Sequence, residues 1–191
     1  MKNIVDDLRC TAKQFIEVYL DLNHVTIAHP GLNSWVDVRN AKVSILPDQV
    51  IQYAPFNPWK KKWGAYKDYY DAWRAHNPTA PVFGAEWKLS FKSGRMYERY
   101  PGMSVLSTVF DSDFEYEIGC VNTISFSAPT GTPSEVFEAA VKAYIETAEE
   151  DKFIVENIAK DVEMVNVIGG TFHPILPNCV KPYRRYLEEN K

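Results

Sequence analysis

Between Val82 and Ser127 the chain alternates apolar and polar residues in short runs separated by turn residues. A period of two sends successive side chains to opposite faces of a pleated strand, so this stretch is limited to strands with one buried face. In Val82–Phe91, Trp87, Leu89 and Phe91 fall on one side and Glu86, Lys88 and Ser90 on the other. Lys92-Ser93-Gly94-Arg95 reads as a hairpin turn that returns the chain through Met96–Tyr100. Met103–Phe110 and Glu115–Ser127 form a further pair around Asp111-Ser112-Asp113, with Tyr116, Ile118, Cys120, Ile124 and Phe126 sharing a face. Connections this short allow only antiparallel neighbours, because a parallel crossover needs about a dozen residues. Trp35–Val38, Lys42–Leu46 and Gln49–Tyr53 add short strands, the last two joined by a tight turn at Pro47-Asp48.

Three segments read as helices. Val5, Leu8, Ala12, Phe15, Tyr19 and Leu22 recur at three- and four-residue steps, which predicts a helix over 4–23 capped by Asn3. Asn57-Pro58 predicts the start of a second, carrying Trp59, Trp63, Tyr66, Tyr70 and Trp73 on one face and stopped at Asn77-Pro78. Thr132-Pro133-Ser134-Glu135 opens a third over 133–148, which either continues through the acidic run Glu149-Glu150-Asp151 or gives way there to a new helix bearing Ile154, Ile158 and Val162. Met164–Ile168 reads as a last strand. Helix, strands, helix, meander and helix together predict an α+β fold: an antiparallel sheet with helices packed on one face, a single domain over 1–191.

Composition narrows the function. Of 191 residues, 46% are hydrophobic and 24% charged, which excludes disordered and collagen-like chains. A net charge of −4 argues against chain-wide affinity for nucleic acid. No apolar run reaches 18 residues, the length needed to span a bilayer, so no membrane partner is expected. Three cysteines, with no paired spacing and no leader pattern at the N-terminus, suit free thiols and a cytoplasmic location.

Aromatic residues reach 14%, and they concentrate beside cations. Trp59, Lys60, Lys61, Lys62, Trp63, Tyr66, Lys67, Tyr70, Trp73 and Arg74 form a segment that suits a protein partner, a second copy of the chain or, by stacking and phosphate contacts, a nucleotide or nucleic acid. The same spacing also suits a buried helix face with a solvated basic edge. Asp48 followed by Glu86-Trp87-Lys88 weakly matches the acid and Glu-x-Lys arrangement of metal-dependent nucleases. Four histidines, His24, His29, His76 and His173, include no pair at i, i+4 and no zinc spacing with cysteine, so the sequence nominates neither a metal site nor a cofactor. Cys120 with His173 is a conceivable nucleophilic pair, but Cys120 shares its face with apolar residues. With nucleophile elbow, phosphate loop and dinucleotide fingerprint all missing, the expectation is a non-catalytic binding or assembly protein. The alternative is an enzyme or sensor acting on a nucleotide or nucleic acid.

Overall fold

A computed structural model describes residues 2–114, 117–157 and 179–190. Seven strands are β1 (Lys2–Leu8), β2 (Lys42–Leu46), β3 (Gln49–Ala54), β4 (Ala85–Ser90), β5 (Arg95–Tyr100), β6 (Met103–Phe114) and β7 (Glu117–Ser127). They join in one antiparallel sheet of order β1-β7-β6-β5-β4-β3-β2. The meander has the predicted antiparallel order, but Asp111-Ser112-Asp113 is not its turn: these residues pair with Cys120, Gly119 and Ile118, and β6 runs on to Phe114. In β6 and β7 Ser107 faces Ile124 and Val105 faces Phe126, and Gly102, at φ +72°, supplies the left-handed residue in the turn between β5 and β6.

The helices α1 (Ala12–Leu20), α2 (Val25–Ala28), α3 (Pro30–Trp35), α4 (Ala65–His76), α5 (Ser134–Asn157) and α6 (Val180–Glu189) pack on the face of the sheet that carries Val50, Ala85, Trp87, Leu89, Met96, Val105, Ile124 and Phe126. Trp35 anchors this layer, stacked on Tyr69 with centroids 4.3 Å apart and donating its indole N–H to the Gly84 carbonyl. Cys10, Cys120 and Cys179 are buried free thiols. No described helix is long and apolar enough to cross a membrane.

Three local readings change, and one alternative is settled. Residues 4–23 are not one helix: β1 gains seven register partners on β7, and a capping box between Thr11 and Gln14 starts α1 only at Ala12. The three- and four-residue spacing of Val5 and Leu8 is fortuitous, since Leu8 faces inward and Val5 outward. Trp35–Val38 is the end of α3, an isolated bridge from Val36 to Phe56 and a 3-10 turn, rather than a strand. Asn57 caps only a turn, accepting from the Trp59 and Lys60 amides, because Gly64 at φ +59° breaks the backbone and the helix begins at Ala65. Of the two alternatives at the acidic run, the first holds: α5 continues through it to Asn157. The expected strand Met164–Ile168, the positions Ile158 and Val162, and Tyr116 and His173 lie outside the described residues.

Candidate metal centre and its cavity

The chemistry of the molecule gathers where α1 gives way to two short helices under the sheet. Asp21 ends α1, His24 precedes α2, and His29 stands between α2 and α3. Proline at position 30 disfavours the α conformation at His29, and its φ of −118° turns the ring out of helical register. Leu22, Val25 and Leu32 are buried in the core and hold this broken segment in place. Across from it, α5 presents Tyr144, Thr147, Ala148 and Asp151, a stripe at helical spacing.

His24, His29 and Asp151 converge. The two Nε2 atoms lie 2.9 Å apart, His29 Nε2 lies 3.0 Å from Asp151 Oδ1, and His24 Nε2 lies 3.4 Å from the same oxygen. Ligand atoms about 2.1 Å from a shared ion stand roughly 3.0 Å apart when cis in an octahedron and roughly 3.4 Å apart in a tetrahedron. The three edges fall in that range, so a metal ion fits this face. The rings are also correctly turned. His24 Nδ1 bonds to the Asp21 carbonyl and His29 Nδ1 to Glu150 Oε2 at 2.8 Å, which leaves both Nε2 atoms to aim at one point. Burial works against a charged His29, yet Asp151 and Glu150 push its pKa up to about 9. Burial alone would raise the Asp151 carboxyl, but His29 and His24 more than offset it and hold it well below the usual carboxylate range. A cation bound between them would take one lone pair from each of the three groups.

The triad opens on a cavity of about 60 Å³ between the helices and the sheet. Its walls include Phe15, Tyr19, Leu22, Leu32, Trp87, Met96, Tyr100 and Ile124. Asp6, Glu98, Ser107 and Asn122 interrupt that apolar lining.

The residues nominated by sequence lie elsewhere. Trp59 is 91% exposed and Trp63 half exposed, while Tyr66 is buried and Tyr70 and Trp73 are partly buried against the core. Lys60 reaches Asn33, Lys67 pairs with Asp71, and Arg74 donates to the carbonyls of Asn77, Pro78 and Ala80. Lys62 is buried with its ammonium 4.4 Å over the Phe56 ring, and burial lowers its pKa to about 8. Lys61 extends from the same surface segment. Asp48, Glu86 and Lys88 are not brought together. Glu86 and Lys88 face away from the cavity, Glu86 beside Arg99 at 3.6 Å, while the Asp48 carbonyl receives the Phe91 amide at the far end of β4. Sequence spacing does not nominate His24, His29 and Asp151, because the histidines are five apart across a helix break and Asp151 closes a run of acids.

No family model matches the chain. Over 185 residues it is 33% identical to putrescine 2-hydroxylase of Bordetella bronchiseptica, which covers 93% of this chain and 40% of that protein. Over 163 residues it is 31% identical to putrescine 2-hydroxylase of Ralstonia nicotianae, covering 81% and 43%. The chain thus spans about two-fifths of the length of the curated relatives it matches. These relatives overturn the expectation of a non-catalytic binding or assembly protein acting by protein-protein interaction, and equally that of a nucleotide or nucleic-acid enzyme: they are hydroxylases. Part of the aromatic content that prompted the first reading goes into packing around Trp35 and into the cavity wall. Among solved structures, a quaternary ammonium Rieske monooxygenase superposes with a TM-score of 0.64 at 12% identity, covering 99% of this chain and 49% of that one. Dicamba monooxygenase bound to dicamba superposes at 0.58 with 15% identity, covering 98% and 56%. The α+β sheet and its helical layer are therefore the fold that these Rieske monooxygenases carry in about half of their chains.

Proposed function

We propose that this chain is the metal-holding oxygenase part of a hydroxylase, with His24, His29 and Asp151 as ligands of a mononuclear Fe(II). The convergence of two histidine Nε2 atoms and one carboxylate oxygen carries the reading. Two histidines and one carboxylate on a single face leave the remaining positions of such an iron open, the arrangement of non-haem iron oxygenases, where the metal supplies dioxygen activation. The chain's own residues do the rest. Glu150 and the Asp21 carbonyl orient the rings, and the apolar cavity wall excludes bulk water from the substrate.

Hydroxylation of one C–H bond consumes one dioxygen, two electrons and two protons, and releases one water. A Rieske cluster that could deliver those electrons takes two cysteines and two histidines. Among the described residues His24, His29 and Asp151 are the one convergent group of possible metal ligands. One of the structural neighbours is described as passing electrons between subunits, which supports delivery across an interface and an oligomeric assembly here. Putrescine, the substrate in the relatives' name, is the first compound to assay.

Anaerobic titration with Fe(II) tests the site. One equivalent should bind per chain, and Asp151→Ala should abolish that binding while leaving the far-ultraviolet circular dichroism unchanged. Equal uptake by wild type and Asp151→Ala would place the metal elsewhere and refute the assignment.

A further inference from the structure

The inward face of the sheet should be apolar, and over most of its area it is. One diagonal departs from that rule. Asp6 on β1 is in register with Asn122 on β7; Ser107 on β6 lies opposite Ile124, two residues farther along β7; and Met96, the β5 partner of Ser107, is two residues from Glu98. All four polar residues line the cavity that opens on His24, His29 and Asp151.

Glu98 is 3% exposed. Tyr100 donates to one of its oxygens at 2.7 Å and Tyr144 to the other at 2.8 Å, and the Trp87 indole in turn supports Tyr100 at 3.1 Å. Both donors are neutral phenols, and no described lysine or arginine pairs with Glu98 or lines the cavity. A carboxylate offers about four acceptor positions, so two remain. Asn122, 4% exposed, has a side-chain oxygen with no hydrogen-bond partner among the described residues, and the Tyr19 hydroxyl shares that condition. Buried polar atoms of this kind are ordinarily satisfied, and an orphan beside a cavity is a group awaiting a ligand. Each of these oxygens can accept a hydrogen bond, and the rings of Trp87, Tyr100 and Tyr144, packed edge to face, line the same cavity.

We infer that Glu98, with Asn122, binds the ammonium group of a small unbranched aliphatic amine and so fixes which end of the substrate lies away from the metal. The inference rests on the oxygenase reading for its location and on the polar diagonal for its chemistry. A cavity of about 60 Å³ is small beside the roughly 300–1,000 Å³ usual for drug-sized ligands. That excludes ring systems in this conformation and suits a slender chain. The ammonium gains a charge-assisted bond to the carboxylate, a second bond to the orphaned amide and a desolvated aromatic surround.

Binding to the Co(II)-loaded and the metal-free chain, followed by calorimetry, tests this with 1-aminobutane and 1-butanol as probes. Wild type should prefer the amine by about 30-fold or more, the scale set by a buried charge pair. Glu98→Gln should lose most of that preference while keeping alcohol affinity within about threefold and Co(II) stoichiometry unchanged. Asn122→Ala should weaken the amine selectively; should Glu98→Gln not fold, this variant and the wild-type preference decide the matter. Equal affinity of wild type for amine and alcohol, or equal loss of both in the variants, would overturn the inference. Failure to take up Co(II) would count instead against the metal site, since the metal-free titration reads the amine preference independently.

Discussion

Two aromatic-rich regions of this molecule invite opposite first impressions. The segment from Trp59 to Arg74 is conspicuous in sequence, with a net charge of +3 over residues 58–76 against −4 for the chain. In the structure it resolves into ordinary parts: an exposed turn, a buried face at Tyr66 and Tyr69, and Lys60, Lys62 and Lys67 satisfied by Asn33, by backbone carbonyls and by Asp71. The cavity beneath the sheet is inconspicuous in sequence, drawing a few residues each from β1, α1, the broken segment through α3, β4, β5, β6, β7 and α5. Yet it holds the convergent histidines, a buried unpaired glutamate and orphaned polar atoms. Local composition reports how a segment meets solvent. Chemistry is reported by polar groups that burial has made costly and that the protein has not fully satisfied.

The strongest test of that contrast is metal affinity. His29→Ala should reduce Fe(II) affinity by about three orders of magnitude, a third of the binding energy typical of a protein metal site. Lys60→Ala combined with Lys61→Ala should not change it. A comparable loss from the lysine changes would erase the distinction between the regions. Next comes packing. Tyr69→Ala removes a ring stacked on Trp35 and a hydroxyl bonded to the Pro101 carbonyl at 2.5 Å, and should cost about 3–5 kcal/mol in denaturant unfolding. That outcome sharpens the comparison, because it shows the conspicuous segment contributing mainly to stability.

Glu98 predicts a pH dependence. Burial raises its carboxyl, the hydrogen bonds from Tyr100 and Tyr144, with the nearby Trp87 indole, offset part of the rise, and its pKa stands at about 7. Asp151 on α5 faces it as a like charge, and Tyr19 on α1 and Tyr66 on α4 lie within its field. The folded state therefore retains a proton that the unfolded chain has released above its ordinary value of 4.5. Stability from this group is complete below about 4.5 and falls as pH rises towards 7, by about 3 kcal/mol in all. Glu98→Gln should remove that slope, so unfolding free energies of variant and wild type at pH 5 and pH 8 should diverge by nearly this amount. Parallel profiles would show that Glu98 ionises freely in the folded chain. A smaller effect belongs to Glu150, whose carboxylate orients His29. Glu150→Gln should weaken Fe(II) binding by about 10- to 100-fold without moving the cavity's amine preference.

The sheet was legible because a two-residue period and turn residues are local signals, and they carried the antiparallel order from β4 through β7. The first strand was not, because Val5 and Leu8 imitate helical spacing and only the pairing partner, more than a hundred residues away, decides the matter. The histidines escaped for a related reason. A spacing of five is no helical face; it becomes a ligand pair only where the chain breaks between α1 and α3. Asp151 was hidden in an acidic run that reads as a solvated surface, although α5 turns Glu146 to the Ala65 amide and Glu150 and Asp151 to His29. One signal was available: alternation in Met96–Tyr100 puts Glu98 on the same face as Met96 and Tyr100, an acid placed towards the core.

The smallest effect is expected where the sequence drew most attention. The Trp59 side chain is 91% exposed, and its amide is held by Asn57 whichever residue occupies the position. Truncation should therefore remove little buried surface and leave no donor unsatisfied, since the indole projects into solvent. Trp59→Ala should change unfolding free energy by less than about 0.5 kcal/mol and the melting temperature by no more than about 2 °C. Fe(II) affinity should stay at the wild-type value. A loss above about 1 kcal/mol in the isolated chain would mean that the ring packs on something in solution, and a loss confined to concentrated samples would place it at a contact between copies. Either result would return this segment to the functional surface of the protein, and a null result would leave the buried cavity as the region that carries the chemistry.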